Sequence, residues 1–499
     1  MIELKEKFYV TTPIFYINDV PSVGSVYPAI AADILARFHK LKGEKTFFLT
    51  GVDENSQKTV QAAKEKGYKD LQKYADEMAG KWKNAFKKLD ISNDGFIRTT
   101  EERHKNLVKE FFLKVHKNGD IYKGKYEGLY CEGCEAFLLE KDLVEGLCPF
   151  HKKPPKRIVE ENYFFKLSNY QEQLLKHIEK NPEFILPSSR RNEVTSFLKS
   201  GVKDISISRP GLEWGITLPI DEKQKFWVWF DALNNYISGS EGNWPAELHI
   251  IGKDILRFHC VIWPAMLLSA GYELPKTIFA HGFFTIEGQK MSKSLGNAID
   301  PIHLTEKYSV DALRYFLFRE IPFGEDGDFS EKALIQRINS DLADDLGNLL
   351  NRTIIMIQKY FKGEIPEGSK KGKKEKELID FSLKKAKEAD AFLEKYEFNR
   401  SLSSVWEIIA SGNRFINESK PWELAKEGKK EELAAAMNAL AELLRITSIL
   451  LLPFIPSASE KIQSQLGIKS NKFSEAFEWN LIPKKTRTGK AEILFQKVK

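Results

Sequence analysis

Two short apolar segments separated by one helical pattern, all within the first 54 residues, constrain the fold more than any other feature. Residues 8–12 (FYVTT) are typical of a buried strand, and residues 45–54 (KTFFLTGVDE) of a second strand that ends in an acidic loop. Between them, a Pro- and Gly-containing turn precedes apolar residues at helical spacing, among them Ile30, Ile34 and Phe38. This pattern predicts a βαβ unit, with a phosphate or nucleotide site at the carboxyl end of the first strand.

The α/β pattern continues further along the chain but is interrupted once. Residues 226–230 (FWVWF), 249–254 (HIIGKD) and 278–284 (IFAHGFF) each read as a strand followed by a helix. Gly, Cys, Lys and Glu dominate residues 117–155. We therefore expect a Rossmann-like sheet that is split by an insertion.

The last third of the sequence has a different pattern. After Ala333 the strand patterns stop, and apolar residues recur at helical spacing. A Gly/Lys-rich segment at 362–376 predicts a loop, and residues 484–499 form a basic stretch that we expect to be solvated. The sequence therefore predicts a helix bundle with one internal loop and a basic tail.

Composition narrows the class of protein. The 499 residues carry a net charge of +6, which allows a nucleic-acid partner without requiring one. Four cysteines exclude a disulfide-built scaffold and favour a reducing compartment. The amino terminus lacks a secretory apolar segment, and Thr447, Ser448 and Pro453 break the longest apolar run. We therefore expect a cytoplasmic protein with no membrane partner.

Three of the four cysteines lie close together in the predicted insertion. Cys131, Cys134, Cys148 and His151 have the spacing C-x2-C-x13-C-x2-H. Structural Zn²⁺ is held by four thiolate or imidazole ligands, and a small insertion gains stability from such a metal. The alternative is a set of unrelated reduced cysteines, which this paired spacing disfavours. The pattern predicts one structural Zn²⁺.

Residues 288–297 (GQKMSKSLGN) contain two lysines on a glycine-flanked segment. Lys290 and Lys293 could reach a triphosphate and neutralise the charge that develops during displacement at phosphorus. A bare K-x-x-K would more readily be a solvated loop. Here the full KMSKS motif is preceded by HGF and followed by LGN.

In their order, these blocks resemble the class I aminoacyl-tRNA synthetases and, among them, the methionyl-tRNA synthetase family. The resemblance covers nearly the whole chain and also includes TTPIFYINDVP, LTGVDE, FWVWFDALNNY, IGKDILRFHCVIWPAML and SKPWELAK. It implies ATP-dependent activation of L-methionine to methionyl-adenylate, with Mg²⁺, followed by transfer to tRNA(Met) for translation. The implied fold is a Rossmann-like catalytic domain with an inserted zinc-knuckle connective domain, followed by an all-α anticodon-binding bundle.

The resemblance also implies how the chain is divided into six segments. They are the first half of the catalytic domain (1–116), the connective insertion with its zinc knuckle (117–185), the second half of the catalytic domain (186–287), the KMSKS loop and stem-contact region (288–333), the anticodon-binding domain (334–475) and the basic tail (476–499). No oligonucleotide-binding domain of the kind that some members use to dimerise follows these segments, so we expect a monomer.

Site residues follow from the resemblance position by position. Asp53 matches the position that pairs with the methionine ammonium group, and aromatic rings suit the polarizable sulfur. The remaining methionine-binding positions are Ile14, Tyr16, Trp229, Ala232, Tyr236, Ile255, His259 and Trp263. The ATP-binding positions are Gly24, Gly252, Asp254 and Lys293, and Arg209 matches a further active-site position. Without the resemblance, these aromatic residues would read as ordinary core and Arg209 as a surface arginine.

Two motifs depart from the family's pattern. The HIGH motif is replaced by Ser22-Val23-Gly24-Ser25, and the usual DEHG reads Asp53-Glu54-Asn55-Ser56. Ser22 and Ser25 therefore stand where two catalytic imidazoles are expected, and a serine hydroxyl needs a bridging water to reach the same phosphate oxygen. Three interpretations remain: a working synthetase that uses Ser22, Ser25, Lys290 and Lys293, an impaired synthetase, or a non-catalytic tRNA-binding or methionine-sensing paralogue.

The helical third contains the implied anticodon site. Asn348 and Arg352 are four residues apart and share one helix face. Trp422 follows Pro421 at a predicted helix start and matches the aromatic on which an anticodon base stacks. Taken singly, the first two could be solvated and Trp422 could be core. Together they predict an anticodon-binding surface.

Overall fold

A computed structural model of the chain describes residues 7–132, 136–138, 140–149, 152–286, 289–290, 299–368 and 372–498. The chain divides into two compact units. The first, here called the sheet unit, takes in residues 7–32 and 46–282. The second, the helical unit, takes in residues 33–45 and the chain from residue 283 onward.

The sheet unit is built on strands β1 to β13. They are β1 (Lys7–Tyr16), β2 (Lys45–Asp53), β3 (Gly95–Arg98), β4 (Ile121–Cys131), β5 (Ala136–Leu138), β6 (Lys156–Phe165), β7 (Ile185–Leu186), β8 (Ile205–Ser206), β9 (Ser208–Pro210), β10 (Thr217–Leu218), β11 (Asp221–Phe226), β12 (Leu248–Gly252) and β13 (Thr277–His281).

The helices of this part of the chain are α1 to α9. They are α1 (Val23–Leu41), which continues into the helical unit, α2 (Gln57–Glu65), α3 (Leu71–Lys88), α4 (Glu102–Lys117), α5 (Gln171–Lys180), α6 (Ser188–Lys199), α7 (Val228–Ala232), α8 (Asn235–Ser238) and α9 (Trp263–Ala270). A π-helical turn, Phe258–Ile262, leads directly into α9.

The central sheet has six strands in the order β3-β2-β1-β12-β13-β7. The β2–β3, β1–β12, β12–β13 and β13–β7 pairs are parallel. Its strands are largely buried, as expected for a parallel sheet covered by helices on both faces. The predicted βαβ unit is therefore confirmed as β1, α1 and β2. It places the ends of β1 and β2 at the same edge of the sheet.

One predicted strand is wrong. Residues 226–230 do not form a strand, because β11 ends at Phe226 and helix α7 begins at Val228. Val228 and Phe230 are both buried. A short run of apolar residues fits a buried helical turn as well as a buried strand, so periodicity alone does not separate the two.

The predicted insertion is a sheet of its own. Strands β5, β4, β6 and β8 form a four-stranded antiparallel sheet, and β4 pairs with β6 along residues 121–130. This sheet reaches beyond the compositional insertion at 117–155, because β6 ends at Phe165 and β8 at Ser206. A further three-stranded sheet, β10-β11-β9, precedes α7.

The helical unit contains three short strands and nine α-helices among its described residues, with a π-helical segment (Ile338–Gly347) between the third and fourth helices and a 3-10 helix (Phe473–Phe477) after the last. They are β14 (Phe284–Ile286), β15 (Gln289–Lys290), β16 (Gly327–Asp328), α10 (Pro301–Tyr308), α11 (Val310–Arg319), α12 (Glu331–Arg337), α13 (Asn348–Phe361), α14 (Lys373–Leu393), α15 (Phe398–Ser419), α16 (Pro421–Lys426), α17 (Lys430–Leu451) and α18 (Pro456–Leu466). After β16 the described residues form helices and loops, so the predicted bundle is confirmed.

A buried ion pair ties the end of α1 into this unit. The Arg314 guanidinium donates to Asp33 at 2.6 Å and to the carbonyl oxygens of Pro453 and Phe454 at 3.0 and 2.8 Å. Neither charged side chain of the pair is exposed. Because a buried charge is costly unless it is paired and hydrogen-bonded, this geometry fixes α11 against both α1 and the turn after α17.

One detail of the predicted bundle needs correction, because Lys373–Lys376 belong to α14 rather than to the predicted loop. In the basic segment from residue 484, Lys484 and Lys497 are exposed and pair with Glu367 and Asp344 on the bundle. The Asn339 side chain also bonds both backbone groups of Val498. Exposed ion pairs of this kind contribute little to stability.

Helix α17 is the one helix among the described residues that is long and apolar enough to cross a membrane by length and composition. Its most apolar stretch is 89% buried inside the protein. A buried helix of this type is typical of the centre of a bundle.

Candidate active site

Asp53 lies at the carboxyl end of β2, where a parallel sheet places its ligand-binding groups. Its side chain is buried and accepts a hydrogen bond from the Asn55 backbone N–H at 3.1 Å. The Thr99 hydroxyl lies 3.5 Å from the same carboxylate oxygen. A buried carboxylate held by local donors is suited to pair with a cationic group of a ligand.

Several of the aromatic side chains predicted to bind the amino acid lie together in one buried cluster. The Tyr236 hydroxyl lies 2.7 Å from Nε2 of His259. The Trp229 and His259 rings are perpendicular, with their centres 6.1 Å apart. The centres of the Trp263 and Tyr236 rings are also 6.1 Å apart. The Ile255 carbonyl lies 3.0 Å from Nδ1 of His259. The structure thus brings five predicted pocket residues together.

Burial keeps the imidazole of His259 neutral. Removal from water lowers its pKa to about 4, and the hydrogen bond at the Ile255 carbonyl only partly opposes this shift. The Ile255 carbonyl can only accept, so Nδ1 carries the proton and Nε2 accepts from the Tyr236 hydroxyl. The cluster therefore consists of polarizable rings without a positive charge.

The other predicted pocket residues surround this cluster less directly. Tyr16 packs against the same apolar core as Trp229, and Ile14 against a smaller core centred on Tyr9. The Tyr9 hydroxyl donates to the Tyr236 carbonyl at 2.7 Å, which links the two cores. Ala232 is buried at the end of α7.

The predicted adenosine-binding residues follow β12. Gly252 ends that strand opposite His281 of β13, and Asp254 is exposed on the next turn, directly before Ile255. They therefore lie at the same sheet edge as the amino-acid pocket. Arg209 is buried rather than on the surface, with its guanidinium 3.7 Å from the centre of the Tyr130 ring and 3.6 Å from Glu160.

The first turn of α1 shows different roles for the two serines. The Ser25 hydroxyl accepts from the Ser22 N–H at 2.8 Å and donates to the Ser22 carbonyl at 2.9 Å. The Ser22 hydroxyl makes no hydrogen bond to any described residue. A Cβ on Gly24 would meet only that hydroxyl, at 3.9 Å, so the space beside the glycine is open.

Several predicted residues fall in or beside parts of the chain that the structure does not describe. Lys290 ends β15, which pairs with β14, while Lys293 lies outside the described residues. Cys134 and His151 of the predicted zinc site also lie outside them. Cys131 and Cys148 are described, and both are buried in the inserted sheet and its following turn.

The turn at Cys148 is tight. The Cys148 N–H donates to the Lys153 carbonyl at 3.0 Å, and the Lys152 N–H donates back to Cys148 at 2.8 Å. Within the described residues no three possible metal ligands come together. Cys131 ends β4 and Cys148 lies in this turn, and both buried thiols have the donor chemistry that Zn²⁺ prefers.

A second predicted site lies in the helical unit. The Arg352 guanidinium is 6.0 Å from the centre of the Trp422 ring and donates to the Asn417 side chain at 3.2 Å. Trp422 is 42% exposed, just after Pro421 at the start of α16, and Asn348 is exposed at the start of α13. An exposed indole beside a guanidinium can stack on an unpaired base.

Sequence reasoning missed three supporting features. Phe258 stacks on Trp229 with ring centres 3.9 Å apart, and His249 packs 4.2 Å from the Tyr236 ring. Asp231 receives hydrogen bonds from both Asn55 and His104. Adjacency in FHC could have indicated Phe258, whereas partners far apart in sequence gave no local signal.

The fold and this site define the class. A family model for class I tRNA synthetases, the methionine type, matches residues 8–158 and 150–354. A second model, for the anticodon-binding domain of methionyl-tRNA ligase, matches residues 365–499. A parallel sheet with a ligand site at its carboxyl edge, followed by a helix bundle, is thus the architecture of a class I tRNA synthetase.

Comparison with individual relatives shows which family of class I synthetases this chain is similar to. The methionine–tRNA ligase of Fusobacterium nucleatum is 47% identical over 99% of this chain and 80% of its own length. That of Streptomyces coelicolor is 41% identical over 98% of this chain and 96% of its own. The Mycobacterium tuberculosis methionyl-tRNA synthetase in complex with methionyl-adenylate matches with a TM-score of 0.95 at 38% identity, covering 98% and 99% of the two chains. This chain belongs to the methionyl-tRNA synthetase family.

Proposed function

We propose that this chain joins L-methionine to tRNA(Met) in two steps, working in the cytoplasm where translation takes place. The observation that carries the proposal is the neutral aromatic pocket of Trp229, Tyr236 and His259 at the sheet edge that also carries Asp53. Family membership supports it, because the relatives compared above are methionine–tRNA ligases.

Methionine is recognised at its two ends. The Asp53 carboxylate pairs with the ammonium group, since an ionic hydrogen bond is favoured in a buried setting. The thioether enters the aromatic cluster, whose ring edges make favourable contacts with sulfur. A neutral His259 suits an apolar side chain better than an imidazolium would.

In the first step a methionine carboxylate oxygen attacks the α-phosphorus of ATP. The new O–P bond gives methionyl-adenylate, and the bond to the β-phosphate oxygen breaks to release pyrophosphate. The unpaired N–H groups at the start of α1 and, through a bridging water, the Ser22 hydroxyl are the donors proposed for the phosphates. Lys290 and Lys293 supply positive charge, and Gly252 and Asp254 bind the adenosine.

Ser25 has an indirect role in this scheme. Its hydroxyl proton bonds the Ser22 carbonyl, so it holds the first turn of α1 in place rather than donating to phosphate. Mg²⁺ enters with ATP, whose phosphate oxygens are its natural ligands.

In the second step a hydroxyl of the terminal tRNA ribose attacks the carbonyl carbon of the adenylate. An ester forms, the bond between the carbonyl carbon and the phosphate oxygen breaks, and AMP leaves with the hydroxyl proton on its phosphate. The Asn348, Arg352 and Trp422 surface binds the anticodon, with a base stacked on the exposed indole. The six segments given above are the proposed domain organisation of the chain.

Cys131, Cys134, Cys148 and His151 are proposed to hold one structural Zn²⁺. The burial of Cys131 and Cys148 and the tight turn at Cys148 support this donor set. With four protein ligands the metal would have no open position, so its contribution would be to the stability of the inserted sheet.

Methionine-dependent ATP–pyrophosphate exchange tests the proposal. The chain is compared with a Ser22→His, Ser25→His double variant and with a control without methionine. Exchange by the unmodified chain supports a working synthetase. If the unmodified chain shows no exchange and the double variant does, an impaired synthetase is favoured. If neither shows exchange but methionine still binds, a sensing or tRNA-binding paralogue is favoured. The comparisons give neither of these alternatives any support.

A further inference from the structure

A buried polar network lies behind the amino-acid pocket, and its centre is a residue that departs from the family's DEHG pattern. The Asn55 side-chain amide donates to the Asp231 carboxylate at 2.8 Å and to the Thr99 carbonyl at 3.3 Å. Nε2 of His104 lies 2.7 Å from the other Asp231 oxygen. Asn55 is 9% exposed, Asp231 1% and His104 not at all.

The direction of these hydrogen bonds is unambiguous. A carboxylate and a carbonyl can only accept, so the nitrogen of the Asn55 amide must face both of them. For the same reason Nε2 of His104 carries a proton. His104 Nδ1 lies 2.7 Å from the Ser238 hydroxyl, which extends the hydrogen-bonded network to Ser238. Asp231 thus receives one donor on each oxygen, as a buried carboxylate requires.

The network connects the elements that carry the pocket. Asn55 follows β2 and its own backbone N–H holds Asp53. Asp231 lies on α7 between Trp229 and Ala232, and Ser238 lies on α8 with Tyr236. A shift of the Asn55 amide would therefore move the Asp53 carboxylate, which is proposed to bind the methionine ammonium group, relative to the aromatic rings proposed to bind the methionine side chain.

We propose that Asn55 is a positioning residue for methionine: through Asp231 it fixes the distance between the Asp53 carboxylate and the aromatic pocket. This role rests on the proposed function. In this role Asn55 acts through Asp231 and not on the reacting phosphorus, so its effect should fall on methionine binding. ATP binding uses residues on other elements, Gly252 and Asp254, and should change little.

The test uses an isosteric change and its reversal. Asn55→Asp replaces the donor by a second carboxylate facing Asp231, while Asn55→Asp combined with Asp231→Asn restores a donor–acceptor pair with the roles exchanged. Asn243→Asp is the control, because Asn243 is similarly buried and its amide donates to the Ser240 carbonyl at 2.9 Å. The readout is KM for methionine, KM for ATP and kcat in pyrophosphate exchange.

We expect Asn55→Asp to raise KM for methionine roughly tenfold, the value of one hydrogen bond to a charged group. KM for ATP should change less than about threefold, and the double variant should recover most of the loss. A methionine KM no higher than that of Asn243→Asp, equal increases for both substrates, or no recovery in the double variant would overturn the proposal.

Two further measurements separate this proposal from other failures. Circular dichroism and thermal unfolding report whether Asn55→Asp folds, and Asn55→Ala replaces it if it does not. If the unmodified chain shows no methionine-dependent exchange, the proposed function fails. Calorimetric Kd values for methionine with the same variants then decide the role of Asn55, by the same criteria.

Discussion

The hydroxyl of Ser25 closes on the backbone of Ser22, accepting from its N–H at 2.8 Å and donating to its carbonyl at 2.9 Å. The bond from the Ser22 N–H is one of the two hydrogen bonds of a capping box. In that motif the side chain of the third helical residue accepts from the backbone N–H of the residue that precedes the helix. The proton of the Ser25 hydroxyl is used in the second bond, to the Ser22 carbonyl. Of the two serines that replace imidazoles, only Ser22 keeps a hydroxyl available to a ligand.

This difference predicts that two alanine substitutions affect different properties, one the stability of the protein and the other its activity. Ser25→Ala should lower the free energy of unfolding by about 1 kcal/mol, as loss of a helix cap does. Ser22→Ala should leave stability nearly unchanged and lower kcat for pyrophosphate exchange by about tenfold or more, since a donor to the phosphates is lost. Urea unfolding and exchange kinetics on both variants check this, and the reverse assignment of effects would contradict it.

The hydroxyl of Tyr236 should matter to both stability and methionine binding. Tyr236→Phe keeps the ring but leaves Nε2 of the fully buried His259 without its partner, which typically costs about 1–3 kcal/mol. We expect a lower free energy of unfolding and a higher KM for methionine. Tyr74→Phe, which removes a buried hydroxyl bonded to the Ile17 carbonyl at 3.0 Å, is the control and should leave that KM unchanged.

The neutral state of His259 predicts how stability depends on pH. Its pKa falls from 6.5 in the unfolded chain to about 4 in the folded one, so the unfolded chain binds more protons between these values. Stability should therefore decrease as the pH falls through this window, by roughly 2 kcal/mol between pH 7 and pH 5 from this group. Burial and the neighbouring His259 lower the pKa of His249 as well, in the same direction.

Denaturant unfolding at pH 7 and pH 5 measures this loss. His259→Gln removes the titrating group and should reduce the difference in unfolding free energy between the two pH values. An equal difference in the variant and the unmodified chain would show that other groups cause it.

The sequence contained enough local information to predict the βαβ unit and the helix bundle, because both depend on periodic apolar residues. Helix α1 and strand β2 lie where their patterns indicate. The same reasoning failed at residues 226–230, where a run of apolar residues has no distinguishing period and forms α7 instead of a strand.

Much of the pocket could be assigned only through the family resemblance, and its supporting network not at all. Tyr236 and His259 are 23 residues apart, and Asn55 and Asp231 are 176 apart, so no local pattern connects them. Their proximity results from strand order in the central sheet. Sequence did indicate that Asn55 departs from the family's pattern, but not that its amide bonds a buried carboxylate.

The zinc proposal predicts different outcomes for two buried cysteines. Cys148→Ser should lower the zinc content of the purified protein from one ion per chain and lower its stability, since a thiolate ligand is lost. Cys260→Ser is the control, because Cys260 is equally buried but lies in the π-helical turn before α9. Elemental analysis with thermal unfolding checks this. Equal zinc content in both variants and the unmodified chain would contradict the assignment of Cys148.

Trp422 should affect tRNA without affecting amino-acid activation. Its indole is 42% exposed beside the Arg352 guanidinium, and stacking of one base on such a ring contributes about 1–3 kcal/mol. Trp422→Ala should therefore raise KM for tRNA(Met) by at least about fivefold, while kcat and the methionine KM of pyrophosphate exchange stay unchanged. Trp422→Phe keeps an aromatic ring for stacking, so its KM for tRNA(Met) should lie between those of the unmodified chain and Trp422→Ala. If Trp422→Ala lowers exchange as much as aminoacylation, the residue supports the fold rather than binding the anticodon.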